Sequence, residues 1–211
     1  MKKPLANRFS SGIAVLLALA ASIGLVAQFA AQFSRTPEVF TAVWALLRYF
    51  TILTNGLVAV VFLRAAFRPV NATLLNGTIL FILLVGVVNL VMLGPPTHAT
   101  LADQIGDKLH HYATPLLALA YWLFSAPRGG LNWRAPLIWA AYPLAYLAYA
   151  LVRAAADGKF PYPFLDVNKI GAGGVAVNCA VIAAVFVAAG FALVTLDRQR
   201  RGASKSREPR G

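Results

Sequence analysis

The stretch LLRYFTILTNGLVAVVFL, residues 46–63, is apolar enough for a membrane helix but carries a short line of polar side chains. Spacings of three and seven residues predict that Arg48, Thr51 and Asn55 share one helical face, with Thr54 beside it. A charged or polar side chain inside a bilayer is costly unless it faces a cavity or a partner. The stretch therefore predicts both a membrane helix and a functional site.

The composition extends the membrane interpretation to the whole chain. Of 211 residues, 59% are hydrophobic and 12% are charged, whereas soluble globular chains are about a quarter charged. Six apolar segments approach the ~20 residues needed to cross ~30 Å of hydrocarbon. The expected fold is all-α, a polytopic bundle of six transmembrane helices. The predicted spans are 11–33, 41–64, 72–94, 108–126, 135–152 and 172–196.

The distribution of charge predicts the orientation of this bundle. With six spans, both termini and the 65–71 and 127–134 loops share one side, which holds most of the Lys and Arg residues behind the net charge of +12. The positive-inside rule then predicts cytoplasmic termini. We expect a cytoplasmic N-terminus at 1–10, a membrane domain at 11–196, and a basic disordered tail at 197–211 that is attracted to lipid headgroups. No nucleic-acid partner is expected, because no aromatic or fold motif accompanies the charge.

In this topology, polar residues of several spans reach a common depth in the outer half of the bilayer. A polar cavity that opens outward would explain this grouping. The last external loop, 153–171, contains the aromatic and proline-rich run FPYPFL (160–165), which predicts either a lid over the cavity or only an interfacial aromatic belt. The polar residues at this depth are Arg48, Thr51, Thr54, Asn55, Asn89, His110, His111 and Asn178.

These residue types suggest nucleophilic chemistry. A threonine hydroxyl becomes a nucleophile when a base such as histidine takes its proton, so Thr51 with His110 or His111 is a candidate pair. Asp107 lies three and four residues before the two histidines, so its carboxylate could orient either ring. Asp107, His110 and His111 could in principle bind zinc, but no third or fourth ligand set is recognisable in the sequence. We therefore expect no metal and no cofactor.

The remaining polar and aromatic candidates would bind or support the substrate. Arg48 or Asn55 could donate to an oxyanion or to a substrate carboxylate. We expect Asn89 and Asn178 to support the site, and Tyr162 and Phe164 to belong to its lid. Structural roles are the alternatives, since a threonine can bond back to its own helix and an arginine can reach the headgroups.

Three motifs resemble a known membrane family. RYFTILTN (48–55), HYATP (111–115) followed by LLALAYW, and FPYPFLD (160–166) are similar to the bacterial six-transmembrane branch of the androgen-induced gene 1 / FAR-17a / ADTRP-like family. The resemblance covers nearly the whole chain in order and spacing. It implies an atypical membrane hydrolase that uses a threonine nucleophile and a histidine to cleave fatty acid esters of hydroxy fatty acids.

The resemblance assigns the nucleophile to Thr51. Counting back from Pro115, the animal spacing selects His110, whereas the H-Y-x-x-P form of the bacterial branch selects His111, which we favour. The sequence thus predicts a lipid-ester hydrolase of the bacterial cytoplasmic membrane, with membrane lipids and a lipid-like ester as its partners. The alternative is a small transporter or a lipid- or carboxylate-binding protein that depends on Arg48. The acyl length and the oligomeric state stay open.

Overall fold

The computed structural model describes residues 5–94, 99–127 and 129–205, and over these the chain is helical with no strand. The all-α prediction is therefore confirmed. Within the described residues, five helices are long and apolar enough to cross a membrane. They are Arg8–Arg35, Phe50–Phe67, Ala72–Leu93, Ala135–Asp157 and Val167–Arg200.

The first half of the chain forms four helices, α1 (Leu5–Arg35), α2 (Val39–Leu46), α3 (Phe50–Phe67) and α4 (Ala72–Val88). A π-helical turn, Asn89–Leu93, continues α4. The predicted span 41–64 is therefore not one helix, because it breaks into α2 and α3 at residues 47–49.

Next come α5 (Leu101–Lys108), a π-helical turn (Leu109–Ala113) and α6 (Thr114–Phe124), which run on without interruption. The π turn ends just before Pro115, whose missing N–H cannot bond to the carbonyl four residues earlier. This rod, α5–α6, begins at Leu101, seven residues before the predicted span 108–126, and is not among the five membrane-spanning candidates. The charged and imidazole side chains in its middle make it less apolar than the other spans.

The last third contains α7 (Ala135–Asp157), a 3₁₀ turn (Pro163–Leu165) and α8 (Val167–Lys205). Near its start α8 bends at Gly171, whose φ of 70° lies in the left-handed region that favours glycine.

The described part of the predicted disordered tail is helical, since α8 continues through residues 197–205. Asp197 explains part of this extension. It is buried, and its carboxylate accepts the backbone N–H groups of Gly129 (2.8 Å) and Leu131 (3.4 Å). The end of α8 is thereby attached to the loop before α7. The predicted tail residues 206–211 lie outside the described residues.

Helices α1, α3, α4 and α6 pack together, and the α7–α8 pair lies against α4. The contact between α4 and α7 depends on Gly77, because a Cβ there would lie 2.5 Å from the Trp139 ring. The Trp139 indole N–H donates to the Thr73 carbonyl at 2.8 Å. This packing brings the first turn of α3 close to both the π turn of the α5–α6 rod and the side of α7.

Candidate active site

The break between α2 and α3 determines where the site lies. At the end of α2, the carbonyls of the broken segment are satisfied by side chains of α7 instead of by a continuing helix. Tyr146 donates its hydroxyl to the Arg48 carbonyl (2.9 Å) and Tyr149 donates to the Leu47 carbonyl (3.1 Å). The break leaves α3 with an N-terminus inside the protein, and Thr51 lies in its first turn. Arg48 lies in the broken segment, so the prediction that it shares a helical face with Thr51 is wrong.

Thr51, His111 and Asp107 form a continuous hydrogen-bonded chain. The Thr51 hydroxyl lies 3.3 Å from His111 Nε2, and His111 Nδ1 lies 2.8 Å from an Asp107 carboxylate oxygen. If Nδ1–H donates to the carboxylate, Nε2 is left to accept the threonine proton. The Thr51–His111 distance is at the long end of the range for a hydrogen bond. Thr51 and Asp107 are each only 8% exposed.

Tyr162 brings a second hydroxyl to Thr51. Its oxygen lies 3.4 Å from the Thr51 hydroxyl and accepts the Thr51 backbone N–H at 3.3 Å. The Tyr162 ring stacks on Phe164 and meets Tyr49 edge-on, with centroids 5.1 and 6.0 Å apart. Burial raises the pKa of the Tyr162 phenol above its ordinary value, so the hydroxyl stays protonated and can act as a donor. The predicted lid loop is thus in direct contact with the predicted nucleophile.

Arg48 fixes the start of that loop. Its two terminal guanidinium nitrogens engage both carboxylate oxygens of Asp157, and one of them also donates to the Lys159 carbonyl. Arg48 is 7% exposed, whereas the Asp157 side chain is 34% exposed, so the bidentate pair is shielded from water on its arginine side only. Because the ends of the guanidinium are already engaged, the geometry does not favour the alternative in which Arg48 holds a free carboxylate ligand.

His110 and His111 point in different directions. His110 is fully buried against α1, where a Cβ on Gly24 would lie 2.5 Å from its Nε2 atom. That nitrogen has no hydrogen-bond partner among the described residues. Of the two histidines that the sequence left open, the structure brings His111 to Thr51 and places His110 against α1.

The other predicted polar residues do not line one shared cavity. Each forms a hydrogen bond with its own neighbour, although the buried Asn55 side-chain oxygen has no partner among the described residues. The bonds are from Asn55 Nδ2 to the Thr51 carbonyl (2.9 Å), from Asn89 Nδ2 to the Tyr112 hydroxyl (3.4 Å), from Asn178 Nδ2 to the Phe164 carbonyl (3.2 Å), and between the hydroxyls of Thr54 and Tyr142 (3.3 Å).

The cavity that does adjoin Thr51 is apolar, which differs from the polar cavity predicted from the sequence. Its volume is about 210 Å³, and it extends from Thr51 and Tyr162 between α4, α7 and α8. Aliphatic and aromatic side chains form most of its wall. A hydroxyl in contact with an imidazole thus stands at the side of an apolar space, an arrangement suited to a substrate with one reactive polar group and an apolar chain.

Sequence reasoning missed the residues of α7 that create the break. Tyr142, Tyr146, Tyr149 and Arg153 recur at helical spacing on α7. Arg153 is 6% exposed, and it donates to the Trp44 carbonyl and to the Tyr149 hydroxyl. This polar face inside an apolar span was a signal of the same kind as the line in residues 46–63. The acceptors for Tyr146, Tyr149 and Arg153 include backbone carbonyls, which every residue carries, so the sequence does not reveal which ones are used.

Comparison of the chain with protein-family models, with curated proteins and with solved structures found no match. Among the described residues, no three His, Cys, Asp or Glu side chains cluster as a metal site would require. The function of the protein is therefore inferred from the geometry of the site.

Proposed function

We propose that this protein is an integral membrane hydrolase of lipid esters, with Thr51 as its nucleophile. The observation that carries the proposal is the hydrogen-bonded chain from Asp107 through His111 to Thr51, at the side of an apolar cavity. Nucleophile, base and orienting carboxylate in this order are the groups that acyl transfer requires.

In the first half of the reaction, the Thr51 oxygen attacks the ester carbonyl carbon and its proton passes to His111 Nε2. His111 then returns the proton to the leaving alcohol as the C–O bond breaks, which leaves an acyl-threonine. In the second half, His111 takes a proton from water, the hydroxide attacks the acyl carbon, and Thr51 regains its proton as the fatty acid leaves. Asp107 stabilises the imidazolium in both halves.

Donors for the developing oxyanion are present around the nucleophile. The Thr51 backbone N–H and the Tyr162 hydroxyl both lie beside the Thr51 side chain. The N-terminus of α3 adds the positive end of an 18-residue helix. Arg48 and Asn55, which the sequence suggested for this role, act instead on the loop and on the helix backbone. Preorganised hydrogen-bond donors to the oxyanion account for a large share of catalysis in acyl transfer.

The proposed setting is a bacterial cytoplasmic membrane, with six spans and both termini inside. The rod Leu101–Phe124 would be the additional span, fourth in chain order, that brings the five candidates to six. Its unbroken length exceeds the ~20 residues needed for a crossing. The excess of Lys and Arg on one side supports the orientation. The motif resemblance supports hydrolysis of fatty acid esters of hydroxy fatty acids, and such esters form part of the proposal.

The test is ester hydrolysis by purified protein with a single-chain fluorogenic ester. Thr51→Ala should lower kcat by about a thousandfold or more, because the nucleophile is lost. Thr54→Ala is the matched control, since it removes another buried threonine hydroxyl from the same helix. If folded Thr51→Ala protein kept the wild-type rate, the proposal would be wrong.

A further inference from the structure

We propose that the cavity beside Thr51 binds one acyl chain of medium length, which reaches it sideways from the bilayer. This inference rests on the proposed function, because it places the reactive ester carbonyl at Thr51 and the acyl chain in the cavity. It adds the class of substrate, an ester whose acyl chain enters the pocket alone, to the proposed reaction.

The wall of the cavity has the chemistry of an acyl pocket. Outside the region near Thr51, it is formed by aliphatic and aromatic side chains and by the thiol of Cys179. No charged side chain belongs to the described lining. An apolar chain gains free energy when it moves out of water, but gains nothing comparable when it moves in from lipid. The pocket therefore positions a chain that the membrane supplies, and does not extract it from water.

The extent of the lining sets the length of chain that fits. The cavity is lined from Ala140 to Leu147 on α7 and from Cys179 to Val187 on α8. At a rise of 1.5 Å per residue these stretches correspond to about 10–12 Å. An extended chain advances about 1.2 Å per bond, so roughly eight to ten bonds fill this depth.

An aromatic cluster packs behind one side of the cavity. Phe186 of α8, which lines the cavity, stacks on Phe81 of α4 with ring centroids 6.0 Å apart, and the Phe81 ring lies 4.6 Å from that of Tyr142 on α7. Phe81 and Phe186 are 6% and 3% exposed, so the three helices are tightly packed at this cluster. A chain longer than the pocket would have to bend out into lipid.

The size of the cavity favours one chain over two. Its volume of about 210 Å³ lies below the ~300 Å³ at which pockets for drug-sized molecules begin. Access from the membrane is indicated by Leu144, which lines the cavity and is nevertheless 56% exposed. Leu144 therefore belongs both to the wall of the pocket and to the surface that faces lipid.

Cys179, the only cysteine of the chain, can report occupancy without any hydrolysis. The experiment measures the rate of Cys179 alkylation by N-ethylmaleimide in lipid nanodiscs, with and without a non-hydrolysable octyl ether. We expect the octyl ether to slow labelling several-fold, a hexadecyl ether to slow it less, and a dioctyl glycerol ether to have no effect. Equal rates with and without the octyl ether would overturn the inference.

Two neighbouring alanines provide matched variants. Ala140→Phe places a ring inside the cavity, whereas Ala141→Phe places the same ring on the exposed face of α7. Protection by the octyl ether should disappear in Ala140→Phe and persist in Ala141→Phe. Equal protection in both variants would contradict the proposed pocket.

The labelling experiment and the hydrolysis experiment test the pocket and the hydrolase proposal independently. Esters cleaved with a Thr51-dependent rate, but without protection of Cys179, would overturn the pocket and leave the hydrolase proposal standing. Protection of Cys179 in a protein that cleaves no ester would overturn the hydrolase and leave the pocket as a binding site.

Discussion

His110 and His111 are consecutive residues of a π-helical turn, so their side chains leave the helix axis in different directions. One imidazole can therefore reach Thr51 while the other packs against α1, as the structure shows. Spacing alone allowed Asp107 to support either ring, and only the motif resemblance favoured His111 over His110. The choice depends on which face of the rod meets α3, and that is a property of the packed bundle.

At the residue scale, the two histidines should differ in kinetics. His111→Gln should lower kcat by about a hundredfold or more, because the general base is lost. His110→Gln should affect stability and leave the turnover of folded protein near the wild-type value. Steady-state hydrolysis, normalised to folded protein measured by size-exclusion chromatography, would reveal the difference. A larger loss of kcat in His110→Gln would reverse the assignment.

The carboxylate of Asp107 should matter for the rate more than for binding. Asp107→Asn keeps the size of the side chain but cannot stabilise the imidazolium or fix the tautomer of His111. In serine hydrolases the equivalent change costs about 10⁴ in kcat, and we expect a loss of the same kind here with little change in KM. The paired measurement of kcat and KM decides, and an unchanged kcat would remove Asp107 from the mechanism.

At the element scale, the defining feature is the break between α2 and α3. The apolar pattern of residues 41–64 predicted an unbroken span, because nothing local in it requires a break: no proline or glycine stands at residues 47–49. The cause lies about a hundred residues further along, in the hydroxyls of Tyr146 and Tyr149. Long-range hydrogen bonds to backbone groups cannot be derived from hydrophobic periodicity.

The Arg48–Asp157 pair should control the order of the loop that carries Tyr162. Arg48→Lys cannot reproduce the bidentate contact, so amide hydrogen exchange over residues 158–166 should become several-fold faster. Arg35→Lys is a suitable control, because Arg35 contacts both Asp103 oxygens through a single guanidinium nitrogen and its side chain is 43% exposed, and exposed pairs contribute little. Unchanged exchange in Arg48→Lys would show that the loop is held by other contacts.

At the scale of the whole molecule, composition was sufficient to predict an all-α membrane protein. It was not sufficient to locate the end of the last helix. The basic run after residue 196 is typical of a disordered tail, but Asp197 anchors it through two backbone N–H groups of a distant loop. The sequence signal for this anchor was one acidic residue, Asp197, next to the basic run that begins at Arg198.

The Asp197 anchor gives a prediction about stability. Asp197→Ala removes the carboxylate that accepts from two backbone N–H groups, and the loss of a buried acceptor costs about 1–3 kcal/mol. The free energy of unfolding should fall by that amount while the ester hydrolysis rate of folded protein is kept. Thr195→Ala should change neither, since the Thr195 side chain is partly exposed and its hydroxyl bonds back to its own helix. Equal stability of the two variants would contradict the anchor.

The most direct measurement of the central claim uses a fluorophosphonate probe, which reacts covalently with activated hydroxyl nucleophiles. Detergent-purified wild-type protein should be labelled, and mass spectrometry should locate the adduct on Thr51. Labelling should disappear in Thr51→Ala, fall sharply in His111→Ala and persist in Thr54→Ala. Folded wild-type protein that stays unlabelled, or labelling that survives in Thr51→Ala, would contradict an activated threonine at this site.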